Sequence, residues 1–266
     1  MAFLPYRKLG KNKPLVYLLG IGTTWFGRPW PPDNHAYTYP LSLEIFHYLD
    51  EVFAKIKKNN ALLMVDTAAA YGQSEKKIGA YFKKRKDLLS KTFIATKWGE
   101  EFDIAKGIST INHSKEQLQI SVKRSLAHLG KIDLLYIHQA SSEVLSNVKV
   151  IAEMKKLKKQ RFSHIQYLGA SFSSEDALNN AVQDNLIGCM DVLQLPACIF
   201  LKRPDLIRII RQNHISIVLN SPIRKSEGAP PKEIFTDLLR HDEISVILTG
   251  TRHHLKETIG YFLTSK

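Results

Sequence analysis

The feature that most constrains this 266-residue chain is a regular alternation of short apolar runs and helical segments. The apolar runs predict β-strands at residues 62–66, 92–97, 133–138, 166–171, 191–195, 216–220 and 245–249, after a first strand that ends near Thr23. Helical periodicity predicts α-helices at residues 43–58, 74–84, 115–129, 150–159, 175–185, 204–213, 232–239 and 255–262. Short, continuously apolar strands that alternate with helices are typical of a parallel sheet covered by helices.

Eight such strand–helix units in a chain of this length predict an α/β fold, a closed (β/α)₈ TIM barrel, as one domain over residues 1–266. A doubly wound open sheet is the alternative, although the first strand is not followed by the Gly-x-Gly-x-x-Gly sequence of a dinucleotide-binding fold. Ahead of the barrel, two short apolar runs flank a turn at residues 10–14, which predicts an N-terminal β-hairpin. Residues 25–40 are rich in proline and aromatic residues and predict a loop.

Composition excludes several classes of protein. The apolar and charged contents, 44% and 24%, are those of an ordinary globular protein. No apolar run approaches the ~20 residues that a membrane span needs, and the first ten residues lack the apolar core of a signal peptide. Cys189 and Cys198 are too few for a disulfide framework. We therefore expect a cytoplasmic protein that does not associate with a membrane.

The net charge of +13 is concentrated in two basic stretches, residues 83–86 and 155–161, which lie in or at the ends of predicted helices. A solvated outer helix face accounts for such stretches, and a patch for nucleic acid or an acidic protein is the alternative. The chain carries no recognised nucleic-acid motif, so we expect no nucleic-acid partner. A basic surface also favours an anionic cofactor.

Four ionisable side chains lie at or just beyond the C-terminal ends of three successive predicted strands. Asp66 ends one strand, Lys97 ends the next and His138 ends the third. Tyr71 follows Asp66 in a loop of small residues. In a (β/α)₈ barrel these strand ends face one common mouth, so we expect the four side chains to converge. Each residue alone has an ordinary structural explanation, and it is their joint placement that indicates a site.

Such a set is suited to transferring a proton to a carbonyl oxygen. A phenol hydroxyl has a pKa of about 10, and a nearby ammonium stabilises the phenolate. We expect Tyr71 to act as the acid and Lys97 to assist it. A lysine in a partly dry mouth requires a carboxylate, which Asp66 supplies, and His138 would orient the substrate oxygen. A barrel lyase or isomerase with Lys97 as a Schiff-base amine is an alternative.

Metal and nucleophile chemistry have little support in the sequence. His253 and His254 are adjacent, which is a poor spacing for binding one ion, and no other His or Cys spacing indicates zinc. The Gly-x-Ser-x-Gly sequence of a nucleophile elbow is absent from the sequence. We therefore expect no metal site.

The segments around the four ionisable residues resemble the catalytic segments of the aldo-keto reductase family. They read Asp66-Thr-Ala-Ala-Ala-Tyr71-Gly-Gln-Ser-Glu75, Ala95-Thr-Lys97-Trp-Gly99 and Asp133-Leu-Leu-Tyr-Ile-His138. The resemblance extends over nearly the whole chain, from residues 7–10 to residues 248–255. It implies an NADPH-dependent reductase in which hydride passes from nicotinamide C4 to an aldehyde or ketone carbon while Tyr71 protonates the oxygen.

The same resemblance implies a binding site for NADPH or NADP+ along the barrel mouth. Ser171 and Gln194 match the residues that hold the nicotinamide carboxamide. Arg252, beside the N-terminus of the last helix, matches the residue that receives the 2′-phosphate, and Glu257 matches an adenine-binding carboxylate. The complete set of matching positions is Gly22, Thr23, Trp25, Asp66, Ser171, Gln194, Ser221, Thr249, Gly250, Thr251, Arg252 and Glu257.

Three features depart from the family pattern. Phe172 stands where an asparagine is usual, and Asn220 stands where an aromatic ring normally stacks on the nicotinamide. The segment after the seventh strand, residues 224–231, is shorter than in relatives. We therefore predict a cofactor that is held more openly, exchanges faster and binds more weakly. These departures also leave a second function open, a low-turnover NADPH-binding redox sensor or partner-binding protein on the same barrel.

Overall fold

The computed structural model describes residues 4–9, 14–29, 37–56, 60–160, 164–223, 228–250 and 252–264. Its strands are β1 (Tyr6–Lys8), β2 (Leu15–Tyr17), β3 (Leu19–Gly22), β4 (Leu63–Asp66), β5 (Thr92–Trp98), β6 (Glu100–Asp103), β7 (Ile108–Ile111), β8 (Leu134–Ile137), β9 (Tyr167–Ser171), β10 (Val192–Pro196), β11 (Ser216–Asn220) and β12 (Ile244–Thr249). Eight of them close into a barrel in the order β10-β11-β12-β3-β4-β5-β8-β9, and all its pairings are parallel.

The helices cover the outside of this barrel and mostly follow its strands one by one. They are α1 (Ser42–Phe53), α2 (Ser74–Lys84), α3 (Lys86–Leu89), α4 (Lys115–Leu129), α5 (Ser142–Ser146), α6 (Val148–Lys159), α7 (Glu175–Gln183), α8 (Ala197–Leu201), α9 (Asp205–Asn213), α10 (Pro231–Leu238) and α11 (Leu255–Thr264). Within the described ranges, no helix has the length and apolar character that crossing a membrane requires.

The barrel strands are buried on both faces, which explains their continuously apolar sequences. Successive side chains of a strand point to opposite faces, so each strand divides its residues between two cores. On β4, Met64 belongs to a core inside the barrel, whereas Leu63 and Val65 belong to the core between the sheet and the helices. This alternation decides which strand residues reach the barrel interior.

The N-terminal hairpin closes the end of the barrel where the strands begin. β1 pairs antiparallel with β2, and Leu9 and Val16 join the core inside the barrel. The Arg7 guanidinium donates hydrogen bonds to the backbone oxygens of Leu239, His241 and Ile244, at 2.8, 2.5 and 2.9 Å. The hairpin thus binds the segment that leads into the last barrel strand.

The predicted (β/α)₈ barrel and N-terminal hairpin are confirmed, and the open-sheet alternative is wrong because β3 pairs with both β4 and β12. The sequence prediction did not include the antiparallel β6–β7 hairpin, which follows β5 at the barrel mouth. The interval after the seventh barrel strand runs from Asn220 to Pro231. Residues 224–227 of this interval lie outside the described residues.

Candidate active site

Three of the predicted residues continue the inward-facing rows of neighbouring strands. Asp66, Lys97 and His138 each stand two positions after a residue of the core inside the barrel, and alternation therefore turns their side chains inward as well. The preceding inner residues are Met64, Ala95 and Tyr136. Because β4, β5 and β8 are adjacent in the barrel, the three side chains meet at its mouth.

Lys97 is at the centre of the site. Its Nζ forms an ion pair with Asp66 Oδ1 and donates to the backbone oxygen of Thr67 at 3.0 Å. It also lies 3.4 Å from the Tyr71 hydroxyl oxygen. Burial disfavours the Lys97 ammonium, but the Asp66 carboxylate, with Tyr71, outweighs this and raises the pKa of Lys97. The structure thus places a fixed positive charge beside the phenol.

Hydrogen-bonded polar side chains of β9, β10 and β11 support Asp66 from the opposite wall of the barrel. Gln194 Nε2 donates to Asp66 Oδ2 at 2.9 Å, and Gln194 Oε1 accepts from Ser171 Oγ at 2.9 Å. Asn220 Nδ2 lies 3.5 Å from the same Gln194 oxygen. The two residues predicted to hold a carboxamide are therefore hydrogen-bonded to each other and connected to the Asp66–Lys97 pair.

His138 lies beside Tyr71, with the two rings edge to face and their centroids 5.9 Å apart. Burial lowers the pKa of His138 to about 3, against the opposing effect of the Glu100 carboxylate. The imidazole is therefore neutral at pH 7. Its Nδ1 atom is 3.2 Å from Glu100 Oε2. The structure thus brings together all four residues that the sequence analysis placed at this mouth.

Glu100, on the β6–β7 hairpin, is a site residue that the sequence analysis missed. Its side chain is buried and pairs with Arg28 at 2.9 Å, and it accepts from Ser109 Oγ at 2.7 Å. Although burial opposes ionisation, the hydrogen bonds from Arg28 and Ser109 and the charge of Arg28 help to lower the pKa of Glu100. The sequence signal was an acidic residue three positions after Lys97, in a segment to which no helix or strand was assigned.

Arg28 and Gln139 extend this network around the mouth. Arg28 Nη1 donates to the backbone oxygen of Ala70 at 3.2 Å, directly before Tyr71. Gln139 Nε2 donates to Glu100 Oε2 at 3.3 Å, and Gln139 has a left-handed backbone with φ of 51°. Such conformations are costly outside glycine and concentrate at functional sites. Glu100 therefore links the segments that carry Tyr71 and His138.

The loop after β3 lies against Asp66. Thr23 donates to the Asp66 backbone oxygen through its amide at 3.1 Å and its hydroxyl at 2.9 Å. Trp25 is buried and packs edge to face on Phe26 and Tyr48. These contacts fix the segment that was predicted to approach the cofactor.

The ends of β3 and β12 approach each other closely at the mouth. A side chain at Gly250 would place its Cβ 3.2 Å from the Gly22 backbone oxygen, so the position favours glycine. Thr249 Oγ1 donates to the Gly20 backbone oxygen at 3.3 Å. Ser221, at the end of β11, has a left-handed backbone with φ of 48°. The predicted cofactor residue Thr251 lies outside the described residues.

Arg252 donates hydrogen bonds to Glu44 on α1 and to Thr38, which precedes this helix. Its Nε and Nη2 donate to the two carboxylate oxygens of Glu44 at 2.5 and 2.8 Å. Its Nη1 donates to the backbone oxygen and the hydroxyl of Thr38 at 3.0 and 3.2 Å. Glu257 is exposed and accepts from the Tyr261 hydroxyl. The predicted contacts of Arg252 with a phosphate and of Glu257 with adenine stay predictions.

The two ends of the proposed cofactor site differ in their fit to NADPH. A carboxamide needs both a donor and an acceptor, and Ser171, Gln194 and Asn220 supply both beside the Tyr71–Lys97 pair. At the other end, Glu44 already occupies the edge of the Arg252 guanidinium formed by Nε and Nη2. A phosphate would use this same edge, the fork of Arg252. The described residues contain no group of three or more His, Cys, Asp or Glu that could hold a metal ion.

Comparisons with known proteins identify relatives of this chain by sequence and by fold. The NADP(+) aldo-keto reductase yakc of Schizosaccharomyces pombe is 29% identical over 160 residues, which are 58% of this chain and 45% of that protein. This chain therefore spans less than half the length of that relative. The sequence pattern of the Aldo/keto reductase family matches residues 18–229.

Solved structures show the same fold over nearly the full length. The PA4992 protein of Pseudomonas aeruginosa superposes with a TM-score of 0.77 at 23% identity, over 98% of this chain and 95% of that one. The holo form of the aldo-keto reductase AKR11C1 from Bacillus halodurans gives 0.74 at 18% identity, over 97% and 90%. The family match covers more than half of the sequence, and the chain belongs to the aldo/keto reductase family.

Proposed function

We propose that this protein is an NADPH-dependent reductase of aldehydes or ketones in which Tyr71 donates the proton to the carbonyl oxygen. The observation that carries the proposal is the buried Lys97 ammonium, 3.4 Å from the Tyr71 hydroxyl and paired with Asp66. The substrate would be a small carbonyl compound, with no nucleic acid or membrane as a partner. The free cysteines Cys189 and Cys198 fit a cytoplasmic protein.

Each residue of the site has a distinct part in the proposed reaction. When bound, NADPH supplies the hydride. Tyr71 gives its hydroxyl proton to the substrate oxygen, and the Lys97 charge stabilises the phenolate that remains. Asp66 holds Lys97 in place and is itself held by Gln194. The neutral imidazole of His138, beside the Tyr71 ring, positions the substrate oxygen.

The cofactor would lie across the mouth from β9 to β3, over the ends of β10, β11 and β12. Ser171 and Gln194 would hold the carboxamide, and Gly22, Thr23 and Trp25 would border the nicotinamide ribose. Arg252 would receive the 2′-phosphate, because its fork matches a phosphate as well as a carboxylate. A basic protein with a net charge of +13 also attracts such a polyanion.

The proposal is tested by NADPH oxidation over a panel of aldehydes and ketones with the wild type and Tyr71→Phe. We expect Tyr71→Phe to lower turnover about 10²–10⁴-fold, the usual size of a general-acid contribution. NADPH affinity, measured by fluorescence titration, should stay unchanged. Tyr167→Phe is the matched control, since Tyr167 packs on Phe93 at the other end of the barrel. Turnover that survives Tyr71→Phe would remove Tyr71 as the proton donor.

A low-turnover NADPH-binding sensor is the second candidate. It is favoured by Asn220, which replaces the expected aromatic ring, and by the Arg252 fork, which Glu44 occupies. The same panel separates the two functions. Saturable NADPH binding without oxidation of any substrate would support the sensor and contradict the reductase.

A further inference from the structure

We infer that Glu44 sets the discrimination between 2′-phosphorylated and unphosphorylated dinucleotides, because its carboxylate occupies the fork of Arg252 that a phosphate monoester must use. The inference rests on the proposed function, in which a nicotinamide dinucleotide binds along the barrel mouth. It assigns to α1, an element outside the predicted cofactor residues, a part in the choice of cofactor.

The contact between Glu44 and Arg252 has the geometry of a bound anion. Nε and Nη2 form one edge of the planar guanidinium, and each donates to a separate carboxylate oxygen of Glu44, at 2.5 and 2.8 Å. Thr38 accepts twice from the remaining nitrogen, Nη1, at 3.0 and 3.2 Å. A phosphate monoester binds arginine through the same two-point edge. Glu44 and a 2′-phosphate therefore cannot both use it.

The pair is accessible to a ligand. The Arg252 side chain is 23% exposed and that of Glu44 is 39% exposed. Hydrogen bonds from Arg252 lower the pKa of Glu44, so the carboxylate is charged at neutral pH. A charged Glu44 that stayed in place would repel a phosphate, which carries about −1.5 to −2 charges. Binding of the phosphate thus requires Glu44 to be displaced.

The surroundings allow this displacement. A cavity of about 460 Å³ adjoins the pair and is lined by Trp25, Tyr48, Glu51, His253 and Lys256, among others. The Lys77 ammonium acts on Glu44 electrostatically, so a released carboxylate still faces a positive charge. An unphosphorylated dinucleotide makes no demand on the fork and leaves the Glu44–Arg252 pair intact. The need to displace Glu44 therefore weakens the binding of NADP+ and does not affect the binding of NAD+.

The test compares the dissociation constants of NADP+ and NAD+ for the full chain, measured by calorimetry at one fixed salt concentration. Glu44→Gln should tighten NADP+ binding by up to about fivefold, which corresponds to the loss of one exposed charge pair that competes for Arg252, and should change NAD+ binding less than about twofold. Glu51→Gln is the matched control, because Glu51 lies on the same helix and lines the same cavity. It should leave the ratio of the two constants unchanged within about twofold.

Further variants keep the inference open to refutation. Glu44→Ala should show the same gain if Glu44→Gln folds poorly. Adding Arg252→Met to Glu44→Gln should remove the gain. Unchanged or weaker NADP+ binding in both Glu44 variants would overturn the inference, as would a gain that survives the loss of Arg252. If NADPH turnover is normal in that case, the proposed function stands. If neither dinucleotide binds the wild type or the Glu44 variants, both proposals fail.

Discussion

Two of the ion pairs at the mouth of this barrel, Lys97–Asp66 and Arg252–Glu44, have opposite surroundings. Lys97 and Asp66 are inside the pocket, with side chains 0% and 3% exposed, and Thr67 and Gln194 hold them from two sides. Arg252 and Glu44 lie on its outer side, 23% and 39% exposed. Breaking a buried pair is strongly destabilising, whereas an exposed pair contributes little and can be exchanged.

The mouth of the barrel thus combines a fixed part, the Lys97–Asp66 pair, with an exchangeable part, the Arg252–Glu44 pair. The fixed part holds the groups proposed for proton transfer, where small displacements are costly for catalysis. The exchangeable part holds the arginine proposed for the phosphate, where a ligand must replace a protein group. An exchangeable phosphate end accords with the sequence prediction of weak, fast-exchanging cofactor binding. That prediction awaits a direct measurement of cofactor release.

The largest effect should come from breaking the inner pair. Lys97→Met leaves the Asp66 carboxylate buried without its counter-charge, so we expect the free energy of unfolding to fall by about 3–5 kcal/mol. Urea denaturation measures this change. The double variant Asp66→Asn with Lys97→Met removes both charges and should lose less than Lys97→Met alone. A loss below about 1 kcal/mol in Lys97→Met would show that the inner pair behaves like the outer one.

The second prediction concerns pH and the buried imidazole. The pKa of His138 falls from its ordinary value of 6.5 to about 3 in the folded protein. Between these values the unfolded chain binds a proton that the folded chain does not, so stability is full above pH 6.5 and falls as the pH decreases. We expect a slope of about 1 kcal/mol per pH unit between pH 6 and 4.

Urea denaturation at a series of pH values tests this slope by comparing the wild type with His138→Asn. The variant lacks the titrating imidazole and should lose most of the difference between pH 6 and 4. Glu100, whose pKa is lowered, contributes in the same direction but below pH 4.5. Equal slopes in the two proteins would mean that His138 already takes up its proton in the folded state, as an exposed histidine does.

The third prediction tests whether Glu100 belongs to the fixed part. Glu100→Gln removes the charge that faces buried Arg28 and His138, so we expect a loss of about 1–3 kcal/mol in the free energy of unfolding. The matched control is the next residue, Glu101, whose partner Arg124 is 38% exposed. Glu101→Gln should cost no more than about 1 kcal/mol. If both variants lost the same free energy of unfolding, Glu100 would contribute no more to stability than a residue of an exposed ion pair.

The smallest effect should come from the outer pair. Glu44→Gln should change the free energy of unfolding by no more than about 1 kcal/mol, because both partners of the pair are partly exposed. Thermal and urea denaturation measure it on the protein used for the binding comparison. A loss of about 3 kcal/mol would mean that Glu44 is a structural residue, and the contrast between the two pairs would disappear.

The sequence was sufficient to predict the inner part of the site. Asp66, Lys97 and His138 end three successive predicted strands, and the strand ends of a (β/α)₈ barrel face one mouth, so the sequence alone predicts that they converge. The outer part of the site was harder to predict from the sequence, because Arg252 is long and flexible and no strand or helix periodicity fixes the direction of its side chain. Its partner Glu44 is remote in sequence, and only the folded chain shows the two together. Glu100 was missed because its burial depends on the β6–β7 hairpin, which was not predicted although Asp103 and Gly107 supply its turn.

The closed barrel joins its first strand to its last, since β3 pairs with β12. Synthesis on the ribosome delivers β3 before the other strands of the barrel and β12 after all of them. Until then β3 carries an unpaired edge, and unpaired edges are templates for association between chains. A nascent or prematurely terminated chain therefore exposes this edge to association with other chains until β12 is available to pair with it.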